Sequence, residues 1–225
     1  MAILKLDIKS ELPTAIRWTD TMTKQLPFAI SKALNSVGFD VRDALKGASR
    51  QVFQNPTPFI QNAWRVDRSN KRNLSVLIYP EAKRVPYLLR NITGGQRGNK
   101  PFERKYLAEA VSSMPANSKL IPAAVRRNAA GNVSLAALKT ITSQSKQKGR
   151  NSVFIGTPTG GARPPGVYQR VGGRGNPKLK PLFIAVQRAS YRPIFPIQAI
   201  GAKVAERRFG NYLRSSLEQA LATAR

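Results

Sequence analysis

One long stretch without carboxylates constrains this chain more than any other feature. Between Glu109 and Glu206 lie 96 residues, of which 15 are lysine or arginine and none is aspartate or glutamate. Unpaired like charges repel one another and destabilise a compact fold. Because the segment has no acidic side chain to offset them, we expect an anionic partner from outside, either a polyanion or an acidic protein surface. A generally basic, solvated surface is the simpler alternative, but it does not account for so one-sided a segment.

The remainder of the chain is less unbalanced. The 225 residues include 38 Lys and Arg against 11 Asp and Glu, which gives a formal charge of +27. Residues 1–109 contribute +10 and residues 206–225 contribute +2. Hydrophobic residues make up 41%, which is enough for a buried core and argues against a disordered basic tail. At this length we predict a single domain over residues 1–225, with a less regular basic insertion at about 93–150.

Two missing residue types remove most catalytic chemistry. Cysteine and histidine are both absent, so the chain has no disulfide, thiol nucleophile, zinc–thiolate site, imidazole ligand or Ser-His-Asp triad. Carboxylate or lysine chemistry remains, but carboxylates are scarce. We therefore predict a protein that is not an enzyme and that uses no cofactor or metal. We also expect neither a membrane span nor a signal peptide, because charges interrupt every long apolar run.

Helical periodicity marks both ends of the chain. A stripe of Ile30, Leu34, Val37, Val41, Leu45, Ala48 and Val52 recurs every three or four residues and predicts one long helix over 28–53. Pro13 and Pro27 bracket a separate, earlier helical piece around 12–25. A final helix is predicted over about 196–222, and its apolar stripe runs from Ile197 to Leu221.

Alternating and short apolar segments predict strands between these helices. The strands are expected at 3–8, 64–68, 74–79, 152–156, 166–171 and 181–188, with shorter helices near 84–92, 103–111 and 133–142. The pattern indicates an α+β fold, in which a long N-terminal helix and a C-terminal helix pack on a mainly antiparallel sheet. Long basic loops rich in glycine and proline connect the later strands.

Two acidic pairs are the candidates for carboxylate chemistry. Asp67 and the triplet Glu81-Ala82-Lys83 have a spacing found in metal-dependent nucleases. Pro80 interrupts the strand that would display Glu81, and no third carboxylate is evident, so a hairpin bordered by solvated charges is the better interpretation. Asp40 and Asp43 lie three residues apart on the long helix, where ion pairing at the helix surface is expected.

The basic residues of the acid-free segment are the predicted contact site. No phosphate-binding glycine motif, zinc-finger ligand set, aromatic RNA-binding motif or clear helix-turn-helix occurs, so we expect contacts with phosphates and not with bases. The residues predicted to face DNA or an acidic neighbour are Arg126, Arg127, Lys139, Lys146, Lys148, Arg150, Arg163, Arg170, Arg174, Lys178 and Lys180.

Four stretches carry a resemblance to a known family. They are Leu26-Pro-Phe-Ala-Ile-Ser-Lys-Ala-Leu-Asn-Ser-Val-Gly-Phe-Asp-Val-Arg-Asp-Ala-Leu, Gly166-Val-Tyr-Gln-Arg-Val, Pro181-Leu-Phe-Ile-Ala-Val and, before the last helix, Pro193-Ile-Phe-Pro. In these phrases and in their order, the chain resembles the minor tail protein Z family of tailed bacteriophages, whose members are tail completion proteins. The resemblance spans most of the chain, although residues 93–150 have no counterpart in it.

The resemblance implies a structural virion protein at the head–tail junction, assembled in the bacterial host cytoplasm. Such proteins complete the head-proximal end of the tail, commonly as six-fold rings around the DNA channel. The implied partners are further copies of the chain, phage DNA contacted through its phosphates, and neighbouring tail terminator, tail tube or head-closure proteins. A non-specific nucleic-acid-binding protein is the alternative, and a nuclease is a third, weaker one.

Overall fold

The computed structural model describes residues 4–7, 20–108, 112, 114–115, 118–159, 163–173 and 178–222, and it confirms the α+β class with helices at both ends and antiparallel sheets. The chain divides into two compact units. Met1–Gly94 and Arg192–Arg225 form what we call the terminal unit, and Gly95–Tyr191 form the central unit. Each unit has a separate cluster of buried apolar side chains.

The terminal unit is built on the predicted long helix. Helix α1 (Asp20–Val52) packs on an antiparallel sheet of β1 (Leu4–Asp7), β2 (Trp64–Asp67) and β3 (Ser75–Pro80), in the order β1-β3-β2. Its stripe is buried as predicted, because Val37, Val41 and Leu45 lie in one core with Val76 and Ile78 of β3. The predicted strand at 3–8 and the hairpin over 64–79 are likewise confirmed.

The start of α1 differs from the prediction. The helix begins at Asp20 and continues through Pro27, so the described part of the expected piece around 12–25 belongs to α1. Pro27 has no amide hydrogen to donate to the carbonyl of Thr23, but the rest of a long, buried helix outweighs that one missing hydrogen bond. Residues 12–19 of the expected piece lie outside the described residues.

Three short helical segments follow within the terminal unit. Helix α2 (Pro58–Gln61) precedes β2, and a single 3₁₀ turn (Ala82–Arg84) leads directly into helix α3 (Val85–Thr93). The turn and α3 together match the predicted helix near 84–92. Helix α3 is followed by Gly94, whose φ of +71° is in the left-handed region that favours glycine.

The central unit contains all the other strands of the described residues. It runs through β4 (Gly95–Gln96), helix α4 (Pro101–Tyr106), β5 (Lys119–Pro122), helix α5 (Leu135–Ser145), β6 (Val153–Gly156), β7 (Gly166–Val171), β8 (Lys178–Val186) and β9 (Ser190–Tyr191). Strands β5, β8, β7 and β6 form an antiparallel sheet in that order, and β4 pairs with β9. Leu138 and Ile141 of α5 join Val167 and Leu182 of the sheet in the core.

The expected insertion at about 93–150 has different limits in the structure. The central unit begins at Gly95 but extends to Tyr191, and the segment before 150 supplies β5, an ordered edge of its sheet. Residues 93–150 cannot form a separate insertion, because Leu120 pairs with Ala185 and Ile121 with Ile184 on the later strand β8. The prediction has a single domain over residues 1–225 with a less regular basic insertion at about 93–150, whereas contacts within the chain group Gly95–Tyr191 as one unit.

The chain closes with helix α6 (Ile197–Ala222), which returns to the terminal unit and packs against α1. Most of its predicted apolar stripe lies in the core of that unit, because Ile197 is buried and Val204, Phe209 and Leu213 pack against that core. Leu221, the predicted end of the stripe, is exposed.

Among the described residues, no helix has both the length and the apolar character needed to span a membrane.

Candidate nucleic-acid interface

A groove of about 780 Å³ lies beside α5 in the central unit. One wall is α5, the other is the loop that follows β5, and the floor comes from β7 and β8. The residues that line it are Ala124, Val125, Arg126, Arg127, Asn128, Ala129, Ser134, Ala136, Ala137, Thr140, Ile141, Gln144, Gln169, Lys180 and Leu182. The lining combines apolar side chains with polar and cationic ones, and it contains no carboxylate.

Three of the predicted basic residues meet in this groove: Arg126, Arg127 and Lys180. Two backbone hydrogen bonds bring their segments together, because the amides of Ala123 and Ala124 donate to carbonyls of β8. Arg126 and Lys180 are exposed to solvent. The Arg127 guanidinium donates to the carbonyl of Pro122 at 2.9 Å, which restricts the position of that side chain.

A compact turn fixes the loop that carries the two arginines. Arg127 and Val133 pair across its base, and the Asn128 side-chain oxygen accepts hydrogen bonds from the amides of Ala130 (3.1 Å) and Asn132 (2.9 Å). Gly131 completes the turn with a φ of +78°. Because these bonds lie within the turn itself, the arginine pair is held at one end of the groove without help from a ligand.

The floor of the groove places an amide beside a cation. Gln169 of β7 lies directly opposite Lys180 of β8 in the antiparallel register, so their side chains share one face of the sheet. The Gln169 amide donates to the side-chain oxygen of Gln144 on α5 at 3.3 Å. This hydrogen bond links the floor to the helical wall.

A second, shallower depression of about 540 Å³ contains two further predicted residues. Lys139 and Lys146 line it with Thr142, Ser143 and Gln147 of α5 and the turn after it. Basic residues therefore border α5 both in this depression and in the groove described above, which contains Arg126, Arg127 and Lys180. Five of the eleven predicted residues therefore lie around one helix.

Two other predicted residues bond elsewhere in the central unit. Arg170 follows Gln169 on β7 and so points to the opposite face of the sheet, where its guanidinium donates to the Ser152 hydroxyl at 3.0 Å and lies 5.4 Å from the centre of the Phe154 ring. Arg163 donates to the carbonyl of Leu179 at 2.6 Å.

Three further predicted residues are exposed and do not line the groove. Lys148 and Arg150 are exposed in the loop after α5, and Lys178 is exposed at the first position of β8. Arg174 lies outside the described residues.

One acidic side chain of the central unit is buried and neutralised. Glu103 is 0% exposed and forms two hydrogen bonds with the Arg97 guanidinium, at 2.7 and 2.8 Å. It also accepts from the amides of Lys100 and Leu120. Burial acts to raise the pKa of Glu103, but the bonds from Arg97 and the two amides outweigh burial and lower it. The carboxylate is thus charged, satisfied and hidden from any anionic partner.

This burial completes the charge asymmetry of the central unit. By sequence the unit has 17 lysine and arginine residues against Glu103 and Glu109. Because Glu103 is inside and Glu109 is not among the described residues, the described surface of this unit presents no carboxylate at all. The terminal unit differs, since Asp43, Glu206 and Glu218 are exposed there.

Several of these features had no clear signal in the sequence. Gln144 and Gln169 are ordinary polar residues that only the pairing of β7 with β8 and the position of α5 bring into one groove. Glu103 did have a local signal, because a glutamate at the third position of a helix that starts with Pro101 commonly bonds back to the preceding amide.

The candidate nuclease residues are held apart. Asp67 pairs with Leu77, whereas the amide of Glu81 bonds to the carbonyl of Ala63. Because Ala63 lies four residues before Asp67, the backbones of the two acidic residues are about 13 Å apart along the strand. Asp67 accepts a hydrogen bond from the Tyr79 hydroxyl (3.0 Å), which raises the pKa of Tyr79. This separation places the two carboxylates too far apart to share one metal ion.

The two acids also have other partners. Glu81 forms ion pairs with Arg65, Lys83 and Arg84, at 2.7, 2.8 and 2.7 Å. Its bond with Lys83 is the main reason that the pKa of Glu81 is lowered. Within the described residues, no group of three acidic side chains could hold a metal ion.

The second acidic pair is also divided. Asp43 pairs with Arg42 at the surface of α1 (2.8 Å), as predicted. Asp40 lies 4.0 Å from the Arg208 guanidinium of α6 and also accepts a hydrogen bond from the Tyr212 hydroxyl at 2.8 Å, which raises the pKa of Tyr212. Asp40 therefore contributes to helix packing more than to a charged surface.

Comparisons of the chain with protein-family models, with curated proteins and with solved structures found no match.

Proposed function

We propose that this chain is a non-enzymatic structural protein of a tailed phage, acting at the head–tail junction and contacting the DNA there through its central unit. The observation that carries the proposal is the described surface of the central unit, which has many cations and no carboxylate. Phosphates are the anions that such a surface suits best, because their charge is dense and regularly spaced along DNA.

The position at the junction follows from the resemblance to tail completion proteins. In that setting the chain would form a ring around the DNA channel, and its partners would be other copies of itself and the neighbouring tail terminator, tail tube or head-closure proteins. A ring multiplies the charge of each copy around one polyanion, which accommodates a net charge of +27 per chain.

A ring-forming protein and a protein that binds DNA as single copies would give particles of different appearance in the electron microscope. Negative-stain microscopy of the purified chain, with and without duplex DNA, tests this difference directly. Rings with a central channel support the proposal. Single copies distributed along DNA at every protein concentration contradict it and favour the alternative, a non-specific nucleic-acid-binding protein, which the cation-lined groove would also serve.

The place in the virion has its own test in the phage that encodes the chain. Deleting the gene should leave heads and tails that assemble but do not join into infectious particles, and supplying the chain from a plasmid should restore them. A normal infectious yield without the chain would rule out the junction role.

A further inference from the structure

We infer that the groove beside α5 is the phosphate-binding site of the chain, and that a length of phosphodiester backbone lies in it, contacted by Arg126 and Lys180. This inference rests on the proposed contact with DNA and specifies where it occurs. The inference distinguishes the cations of the groove from the other exposed cations of the central unit.

The two cations are suited to bind an incoming anion. Both are exposed, and they stand on different segments, the loop after β5 and strand β8, so a phosphate between them would be contacted from two sides. Arg127 is less suited because its guanidinium already bonds the carbonyl of Pro122. The cations at Arg170 and Arg163 are likewise occupied, with the Ser152 hydroxyl and the Leu179 carbonyl.

The neutral lining of the groove also favours a backbone phosphate. Gln169 and Gln144 provide side-chain amides, and Ser134 provides a hydroxyl. Amides and hydroxyls commonly contact phosphate and sugar oxygens. Ala136 and Ala137 form part of the helical wall, and their small side chains let a bulky strand approach the helix.

The size of the groove agrees with a short piece of strand. A volume of about 780 Å³ is in the range of clefts that hold ligands much larger than one phosphate ion. The groove is open and has no readout motif, so the contacts should be independent of base sequence.

A charge-matched pair of variants tests the assignment. Arg126→Gln with Lys180→Gln removes two positive charges from the groove, and Arg104→Gln with Arg188→Gln removes two from exposed positions of the same unit that do not line it. Affinity for a fluorescent duplex of random sequence is measured from about 50 to 200 mM salt for each full-length protein. Losing two phosphate contacts should reduce the slope of log affinity against log salt by about 2 and weaken binding about tenfold or more.

The control pair should change the slope by less than half a unit. Equal losses in both pairs would overturn the groove assignment while leaving DNA binding intact. An unaltered chain that does not bind the duplex would overturn both the assignment and the proposed function.

A neutral variant guards against effects of overall charge. Ala136→Trp places a large side chain in the groove from an exposed position on α5 without changing any charge. We expect it to weaken duplex binding at least about tenfold, because it occupies the space for the strand. Circular dichroism that matches the unaltered chain confirms folding, and full affinity in a folded Ala136→Trp protein would contradict the inference.

Discussion

Gly38 and Gly47 stand on the same helix but meet different surroundings. A Cβ added at Gly38 would lie 2.6 Å from Cγ1 of Val76, a short, branched and fully buried side chain, whereas nothing lies within 4 Å of a Cβ at Gly47. Both glycines make the helix less stable than alanine would. At Gly38 this cost is offset because the missing side chain lets α1 approach β3 closely, whereas Gly47 has no such contact.

These surroundings predict opposite signs for the same substitution. Gly47→Ala should increase the free energy of unfolding by up to about 1 kcal/mol, and Gly38→Ala should decrease it by about 1–3 kcal/mol through overpacking. Urea denaturation of the two variants checks both signs. A stabilising Gly38→Ala would mean that the helix and the sheet are not packed as described.

The ion pair of Glu103 and Arg97 predicts a second residue-level effect. Glu103→Gln removes the charge that balances Arg97, whose side chain is 9% exposed, and should destabilise the central unit by about 3 kcal/mol because breaking a buried pair leaves one charge unpaired. Glu218→Gln, at an exposed site on α6, is the matched control and should leave the melting temperature unchanged.

The same ion pair should make the folding stability of the central unit depend on pH. The pKa of Glu103 is lowered by folding, so its contribution is complete above the ordinary value of 4.5 and is lost as the pH falls through the lower folded pKa. The difference in melting temperature between the parent and Glu103→Gln should therefore shrink as the pH falls below about 4.5. A difference that stays constant down to pH 2 would contradict the assigned charge state.

At the scale of elements, the buried stripe of α1 supports the terminal unit. Val41 is 0% exposed in the middle of that stripe. Val41→Asp should abolish the cooperative unfolding transition or cost at least about 4 kcal/mol, because it buries an unpaired charge. Gly47→Asp introduces the same side chain on the exposed side of the same helix and should change stability by less than about 1 kcal/mol. Similar melting of Val41→Asp and the parent would show that the stripe is not core.

Elements with regular hydropathy were predictable, and those held by small or polar residues were not. The stripe from Ile30 to Leu45 and the hairpin around Val66 and Val76 repeat at the helical and strand periods, so the sequence predicts them directly. The part of the α6 stripe from Ile197 to Leu213 is predicted in the same way and packs in the core. Gly201, Ser216 and Ala220 are also buried on that helix, and they have no hydropathy signal.

The limits of the central unit were also beyond a sequence-based prediction. That unit is bounded by a pairing of two short strands, Gly95 with Tyr191 and Gln96 with Ser190. Two-residue strands are too short for any period to show, and their partners are almost a hundred residues apart in the chain.

At the scale of the whole molecule, the charge pattern predicted a need for an anionic partner but not the place of contact. The acid-free segment is evident from the sequence, yet Arg126 and Lys180 meet only because the chain after β5 runs alongside β8. Arg170 has the same charge and is turned to the other face by the alternation of side chains along β7. Composition therefore predicts the kind of partner, and tertiary structure determines which basic residues share the groove.

The salt dependence of duplex binding by the unaltered chain tests the central claim most directly. Affinity is measured for several duplexes of unrelated sequence over a range of salt concentrations, and log affinity is plotted against log salt. With Arg126, Lys180 and at least one further cation on phosphates, the slope should be about −3 or steeper, and it should be the same for every sequence. A slope near zero, or affinities that differ by more than about tenfold among sequences at one salt concentration, would contradict a site that binds DNA through its phosphates.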